Sequence, residues 1–203
     1  MIRPLLWPLL AAFSVLALPV AAKDKSLETE AKALHQLAGG DYCEPIENAY
    51  DPEDAFKSWT FSYPMSWSTE GEEEEITLIR IWCMAGAYNV THAYYTYREY
   101  EGLMPLAFAM PAFETRYEVE DDIDSPLKGI DLTGMKATTI LVNSQFDPET
   151  RTISSYGLWR GIGDASDAGT WVFNEGEWTL KRYEIDASYD GEANPETVID
   201  YGE

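Results

Sequence analysis

Histidine is nearly missing from this chain: among 203 residues there are two, His35 and His92. That scarcity removes support for a histidine-based metal centre or a pair of catalytic imidazoles. Cysteine is as rare, and neither Cys43 nor Cys83 sits in a C-x-x-C or a recognisable cysteine-nucleophile context. Basic residues number 14 against 36 acidic ones, a formal net charge of −22. Such a surface repels phosphate backbones and anionic headgroups, so nucleic acid is not an expected partner, and a basic protein or a cation fits better than an acidic one. No G-x-S-x-G, P-loop or histidine-containing metal motif occurs, and no cofactor is indicated. Beyond the first 22 residues no apolar run is long enough to span a bilayer.

Those first 22 residues carry one charge, Arg3, then an apolar run broken by Pro8, then Val20-Ala21-Ala22 before Lys23. The pattern predicts a signal peptide cleaved between Ala22 and Lys23 and a periplasmic or secreted chain. An uncleaved anchor would need an uninterrupted apolar run, which Pro8 and Pro19 deny. In an oxidising compartment two cysteines most simply pair, so a Cys43–Cys83 disulfide is expected.

From there the chain divides into a helix at 23–40, a β-rich domain at 41–186 and an acidic, mobile tail at 187–203. Leu27, Ala31, Leu34, Leu37 and Ala38 recur at helical spacing, with Ser26 as the expected cap and Gly39-Gly40 as the stop. His35 rides on this helix as a packing or surface residue. Trp59, Phe61, Tyr63, Met65 and Trp67 alternate, as one face of a strand does, and are expected in the core rather than in a sugar groove. The four acids Glu72, Glu73, Glu74 and Glu75 read as a solvated turn ahead of a strand at 76–84 that is apolar on nearly both faces. A second strand runs from Val90 to Arg98, with His92, Tyr94 and Thr96 on one face. Gly134 reads as a turn. Residues 138–183 read as two β-hairpins, turning at Asp147-Pro148-Glu149-Thr150 and at Asn174-Glu175-Gly176, joined by the loop Arg160-Gly161-Ile162-Gly163-Asp164. The expected fold is mainly β: a single antiparallel β-sandwich or barrel-like domain with a short N-terminal helix.

Several of these stretches resemble one family. Asp147-Pro148-Glu149-Thr150-Arg151-Thr152, the loop from Arg160 to Asp164, Gly169-Thr170-Trp171, and Cys83-Met84-Ala85-Gly86-Ala87-Tyr88-Asn89 are similar to motifs of the domain of unknown function family 1176, a set of exported proteobacterial proteins. The chain departs from it at Ala165, where members commonly carry a cysteine that pairs near the C-terminus. The resemblance implies export and a β-rich fold and supplies no activity.

The loop offers the sharpest candidate site: Arg160, Gly161, Gly163, Asp164 and the following Trp171 as ligand-binding residues. Glycines let the backbone approach a ligand, Arg160 suits a carboxylate or phosphate, and Asp164 suits orientation or base work. The competing expectation is that Arg160 and Asp164 tie the loop to itself. Acidic clusters at Glu120-Asp121-Asp122-Asp124 and between Asp186 and Glu192 lack the order of a known calcium loop. The functional expectation is a non-enzymatic envelope module that binds a protein or small ligand. The alternatives are an envelope hydrolase acting on an anionic or glycan substrate and a calcium-stabilised domain.

Overall fold

The computed structural model describes residues 20–65, 68 and 71–202, with side chains from Ser26 onward. The expected leader therefore lies outside the described residues, except for its last three positions, and so does Trp67. Helix α1 (Val20–Gly39) begins earlier than expected. Ser26 is inside it, donating to Glu30 Oε1 at 3.1 Å instead of capping. Gly40, at φ +51, ends it. Its apolar stripe is Leu27, Ala31 and Leu34, while Leu37 points to solvent.

Two open antiparallel sheets face each other, and no barrel closes among the described residues. The first contains β1 (Phe56–Pro64), β2 (Glu73–Ala85), β3 (Val90–Arg98) and β4 (Gly102–Pro105) in that order, with β7 (Ile140–Val142) sharing the β3 edge with β4. The second runs β12 (Glu196–Asp200), β11 (Glu177–Asp186), β10 (Ser166–Asn174), β9 (Thr152–Leu158), β8 (Gln145–Asp147). A long ribbon of β5 (Phe108–Tyr117) and β6 (Leu127–Thr138) forms a separate two-stranded sheet that packs on the core through Phe108, Phe113 and Ile130.

Period-two alternation sends the residues of β2 and β3 to two buried faces. Leu78 and Tyr94 face inward and meet Ile153, Trp171, Tyr183 and Ile185 of the second sheet. Ile79, Ile81, Ala93 and Tyr95 face outward and are covered by α1. Side chains buried as fully as these contribute roughly 1.5–3 kcal/mol each. On β1, Trp59 and Phe61 pack against the inter-sheet core and Tyr63 is buried against Ile76 and Phe173. His35 is buried under α1, its Nδ1 3.0 Å from Tyr95 Oη. The Cys43–Cys83 disulfide is formed and ties the chain after α1 to β2.

Three further expectations, on the strands, need correction. Glu73, Glu74 and Glu75 begin β2 rather than forming a turn, and Glu74 accepts a hydrogen bond from Tyr63 at 2.6 Å. Gly134 lies within β6 opposite Ala112, because the partner strand β5 supplies the extended pairing that local composition does not. The tail placed at 187–203 contains β12, which hydrogen-bonds along β11 and buries Ile199. Its segment before β12 is held by Asp186, whose carboxylate accepts from Ser188 N at 3.1 Å, Ser188 Oγ at 2.7 Å and Asn194 N at 2.7 Å.

Candidate functional site

The turn Asp147–Thr150 is held by its own aspartate, which accepts from Glu149 N at 2.9 Å and Thr150 Oγ1 at 2.7 Å. From there β9 leads to the glycine-rich loop, in which Gly163 takes φ +80. Within it, Arg160 Nε donates to Asp164 Oδ1 at 2.6 Å and its Nη2 reaches Asp164 Oδ2. The same guanidinium donates to Tyr189 O at 2.7 Å and lies over the Tyr189 ring. Asp164, buried, also accepts from Gly191 N at 2.8 Å. Hydrogen bonds from Arg160 hold its carboxyl down at about 2, with the Gly191 amide adding to them. The hydrogen bonds that Arg160 makes through Nε and Nη2, and those that Asp164 accepts, thus stay within the loop and the 189–191 segment.

The other family-like stretch docks on the loop's base. Asn89 brackets Leu158, donating to its carbonyl at 2.7 Å and accepting from its amide at 3.1 Å, and Tyr88 donates to Trp159 O at 3.2 Å. Asn143 joins this junction by donating to Asn89 Oδ1 and Tyr156 O, both at 2.9 Å. In the G-x-W stretch, Gly169 leaves room for the indole: a Cβ there would lie 2.3 Å from the Trp171 ring. Trp171 itself is buried, with Nε1 donating to Ala109 O at 2.8 Å. The structure therefore brings Arg160, Gly161, Gly163 and Asp164 together and places Trp171 in the core. Arg160→Ala is expected to lower the thermal midpoint and to raise amide exchange across residues 189–191, since the carbonyl and carboxylate it serves lose their donor. Unchanged exchange there would release the loop from this structural role.

Beside this loop a depression of about 500 Å³ is lined by Asp124, Asp186, Asp190 and Glu196. Asp186 spends its oxygens on N–H and O–H donors rather than facing a cation. Among the described residues, no three His, Cys, Asp or Glu side chains converge to hold a metal ion.

A second depression, about 460 Å³, opens where the two sheets part, lined by Asp54, Lys57, Trp59, Arg80, His92, Gln145 and Phe146 among others. Short helix α2 (Pro52–Ala55), capped by Asp51, delivers Asp54 to its rim. Alternation puts Arg80 and His92 on the inward face of the first sheet. Between β7 and β8 the chain crosses from one sheet to the other, and Ser144 sits at that crossing after Asn143, at φ +43.

These residues form one hydrogen-bonded line. Tyr94 Oη donates to Ser144 Oγ at 3.0 Å, Ser144 Oγ is 3.2 Å from His92 Nδ1, and His92 Nε2 is 2.8 Å from Asp54 Oδ2. Arg80 closes the set, donating to Ser144 O at 2.6 Å and pairing with Asp54 Oδ1. Burial, helped by the charge of Arg80, pushes His92 down to about 4 despite its bond to Asp54. The ring is therefore neutral at pH 7, which assigns its proton to Nε2, facing Asp54, and leaves Nδ1 to accept from Ser144. Burial pushes Tyr94 up to about 12, so it stays a donor. For Asp54, burial would raise the carboxyl, but the His92 hydrogen bond and the charges around it hold it below the usual range.

A serine, a histidine and an aspartate in line invite comparison with a nucleophilic triad. Here Ser144 is only 1% exposed and His92 3%. The Ser144 hydroxyl is closed off by Tyr94, and the end of the line that meets solvent is Asp54. An attacking oxygen needs the opposite arrangement.

The neutral, buried His92 makes stability depend on pH. Its folded pKa lies below the unfolded value near 6.5, so its contribution is complete above that value and is lost as pH falls toward 4. Between pH 7.5 and 5 the loss from this group is about 2 kcal/mol. Urea unfolding of the native chain and His92→Gln at both pH values isolates it: the difference between their stabilities should shrink on acidification.

Sequence reasoning missed this constellation. Its members, Asp54, Arg80, His92 and Ser144, share no spacing motif. The signals in the sequence were a lone arginine, Arg80, inside the apolar run 76–84 and a histidine, His92, in the inward register of the next strand.

No curated protein and no solved structure matches the chain. The model of a family described as protein of unknown function (DUF1176) matches residues 72–196, a span that includes Arg80, His92, Ser144 and the Arg160–Asp164 loop but begins after Asp54, Lys57 and Trp59. With more than half of its 203 residues inside that match, the chain belongs to the DUF1176 family.

Proposed function

We propose that this protein is an exported, non-enzymatic binding module whose ligand site is the depression between the sheets at Asp54, Lys57, Trp59 and Gln145. The observation that carries the reading is the buried charge beneath it: Arg80 is 4% exposed and linked to His92, Ser144 and Asp54. Desolvating such groups is costly, and an apolar core of the same shape is often as stable or more so. A perturbed, charge-linked set under an open concavity is the physical pattern of a site. Export is supported by the leader-like first 22 residues and by the Cys43–Cys83 disulfide.

One observation favours the rival, an envelope hydrolase: the Ser144–His92–Asp54 line. The burial of Ser144 and its bond from Tyr94 weigh against it.

The test is thermal unfolding of the exported chain with oligosaccharides, short peptides, inorganic phosphate and basic proteins. A ligand at 100 times its Kd stabilises by about 2.7 kcal/mol, several degrees for a domain of this size. The reading expects a shift that Lys57→Ala abolishes and Arg160→Ala preserves. A shift with the opposite dependence moves the site to the glycine-rich loop. Turnover of any probe that Ser144→Ala removes makes the protein a hydrolase.

A further inference from the structure

We infer that the depression at Asp54 and Lys57 takes a neutral, hydroxyl-rich ligand, a saccharide, a conclusion that rests on the binding-site reading above. Asp54 Oδ2 accepts from His92 and keeps a second lone pair, while Oδ1 is engaged by Arg80. Asp54 is 27% exposed at its side chain, so that acceptor is reachable. Lys57 stands 3.6 Å from Asp54 Oδ1 with its side chain 43% exposed, leaving ammonium N–H groups for an incoming acceptor. Gln145, exposed on the same rim, has an amide that can both donate and accept.

The opening therefore asks for a ligand that donates to a carboxylate and accepts from an ammonium a few ångströms away. A hydroxyl does both, and neighbouring ring hydroxyls do so at adjacent points. Charge separates this ligand from its competitors. A cation approaching Asp54 meets Lys57 and Arg80, which already compensate that carboxylate. An anion attracted to Lys57 meets Asp54 and the field of a chain with net charge −22. A neutral ring meets neither penalty. Trp59, half-buried and backed by the buried Phe146, leaves one aromatic edge on the mostly polar lining, against which the C–H face of a sugar ring can be desolvated. At about 460 Å³ the concavity is of small-ligand size.

The experiment is calorimetric titration of the exported chain with two neutral probes, maltotriose and tri-N-acetylchitotriose, and two anionic ones, glucuronate and inorganic phosphate, at low and high salt. At least one neutral probe is expected to bind, with affinity unchanged by salt and reduced at least tenfold in Lys57→Met and in Gln145→Ala. Both residues are exposed, so the unliganded midpoint should stay where it was, and a folded variant can be confirmed by its circular dichroism. Binding of phosphate or glucuronate alone, lost in Lys57→Met and weakened by salt, overturns the saccharide assignment while leaving the binding site in place. Saccharide binding that survives both variants overturns the assignment to this depression. Binding of none of the four probes overturns the inference.

Discussion

Replacing Asp54 by Ala is expected to lower the stability of the folded chain by about 3 kcal/mol, the lower end of the range for breaking a buried pair, because Asp54 is partly exposed. The loss arises less from the missing attraction than from what stays behind. Arg80 is 4% exposed, and its charge is left with only neutral groups beside it, the Ser144 carbonyl and the Tyr94 hydroxyl. His92 loses the acceptor that fixes its tautomer. Removing Lys57, an exposed partner at 3.6 Å, should change stability by less than about 1 kcal/mol. The double variant Asp54→Leu/Arg80→Met should recover most of the loss, since it deletes both charges and leaves an apolar contact. Urea unfolding of the four proteins at pH 7.5 reads all of this. A cost under about 1 kcal/mol for Asp54→Ala would mean that water reaches Arg80 freely, and the argument that buried charge marks a site would fail with it.

How far the sequence carried depends on the range over which each feature is determined. The turn at Asp147 is settled by contacts two and three residues away, and Gly176 takes φ +91 in the hairpin turn where its composition placed it. Alternation located Trp59, Phe61 and Tyr63 on one inward face because the physics of a pleat is local. The strand at Gly134 escaped because nothing local makes glycine extended; β5 does, through pairing. Strand β12 escaped for the same reason, its two apolar residues Val198 and Ile199 being too few to announce a strand. The Arg160–Asp164 pairing was legible across four residues, but its anchors at Tyr189 and Gly191 come from 29 and 27 residues away. The depression at His92 is the extreme case: Asp54 is 38 residues before His92 and Ser144 is 52 after it, so only the fold assembles them. Two of the family-like stretches, the one ending at Asn89 and the one starting at Arg160, meet at the junction of Asn89, Asn143 and the loop base, where hydrogen bonds tie the first sheet to the loop. Motif residues here record how the sandwich is closed, and the polar line lies a few positions away from them.

Reduction of the Cys43–Cys83 bond is expected to have the largest single effect, about 4 kcal/mol, from the chain entropy that a crosslink across 40 residues removes from the unfolded state. The crosslink holds the segment that follows α1, where Glu44 N donates to Cys83 O at 2.8 Å and Gly39 packs directly on Cys43. Helix α1, which that segment anchors, covers with Leu27, Ala31 and Leu34 the outward face of β2 and β3, built on Ile79, Ile81, Ala93 and Tyr95. Its loosening should therefore appear first as faster amide exchange in α1. Arg80 and His92 project from the opposite, inward face, between sheets whose contacts the bond does not touch. Urea unfolding with and without reductant measures the loss, and Cys43→Ala/Cys83→Ala should reproduce it with a small added cavity cost. Exchange mapped by mass spectrometry tests the order of events. If the reduced protein at 25 °C opens at β7 and β8 as early as at α1, the two faces of the first sheet are not independent. The ligand site would then depend on an oxidised chain, and binding would be restricted to the compartment that keeps the bond formed.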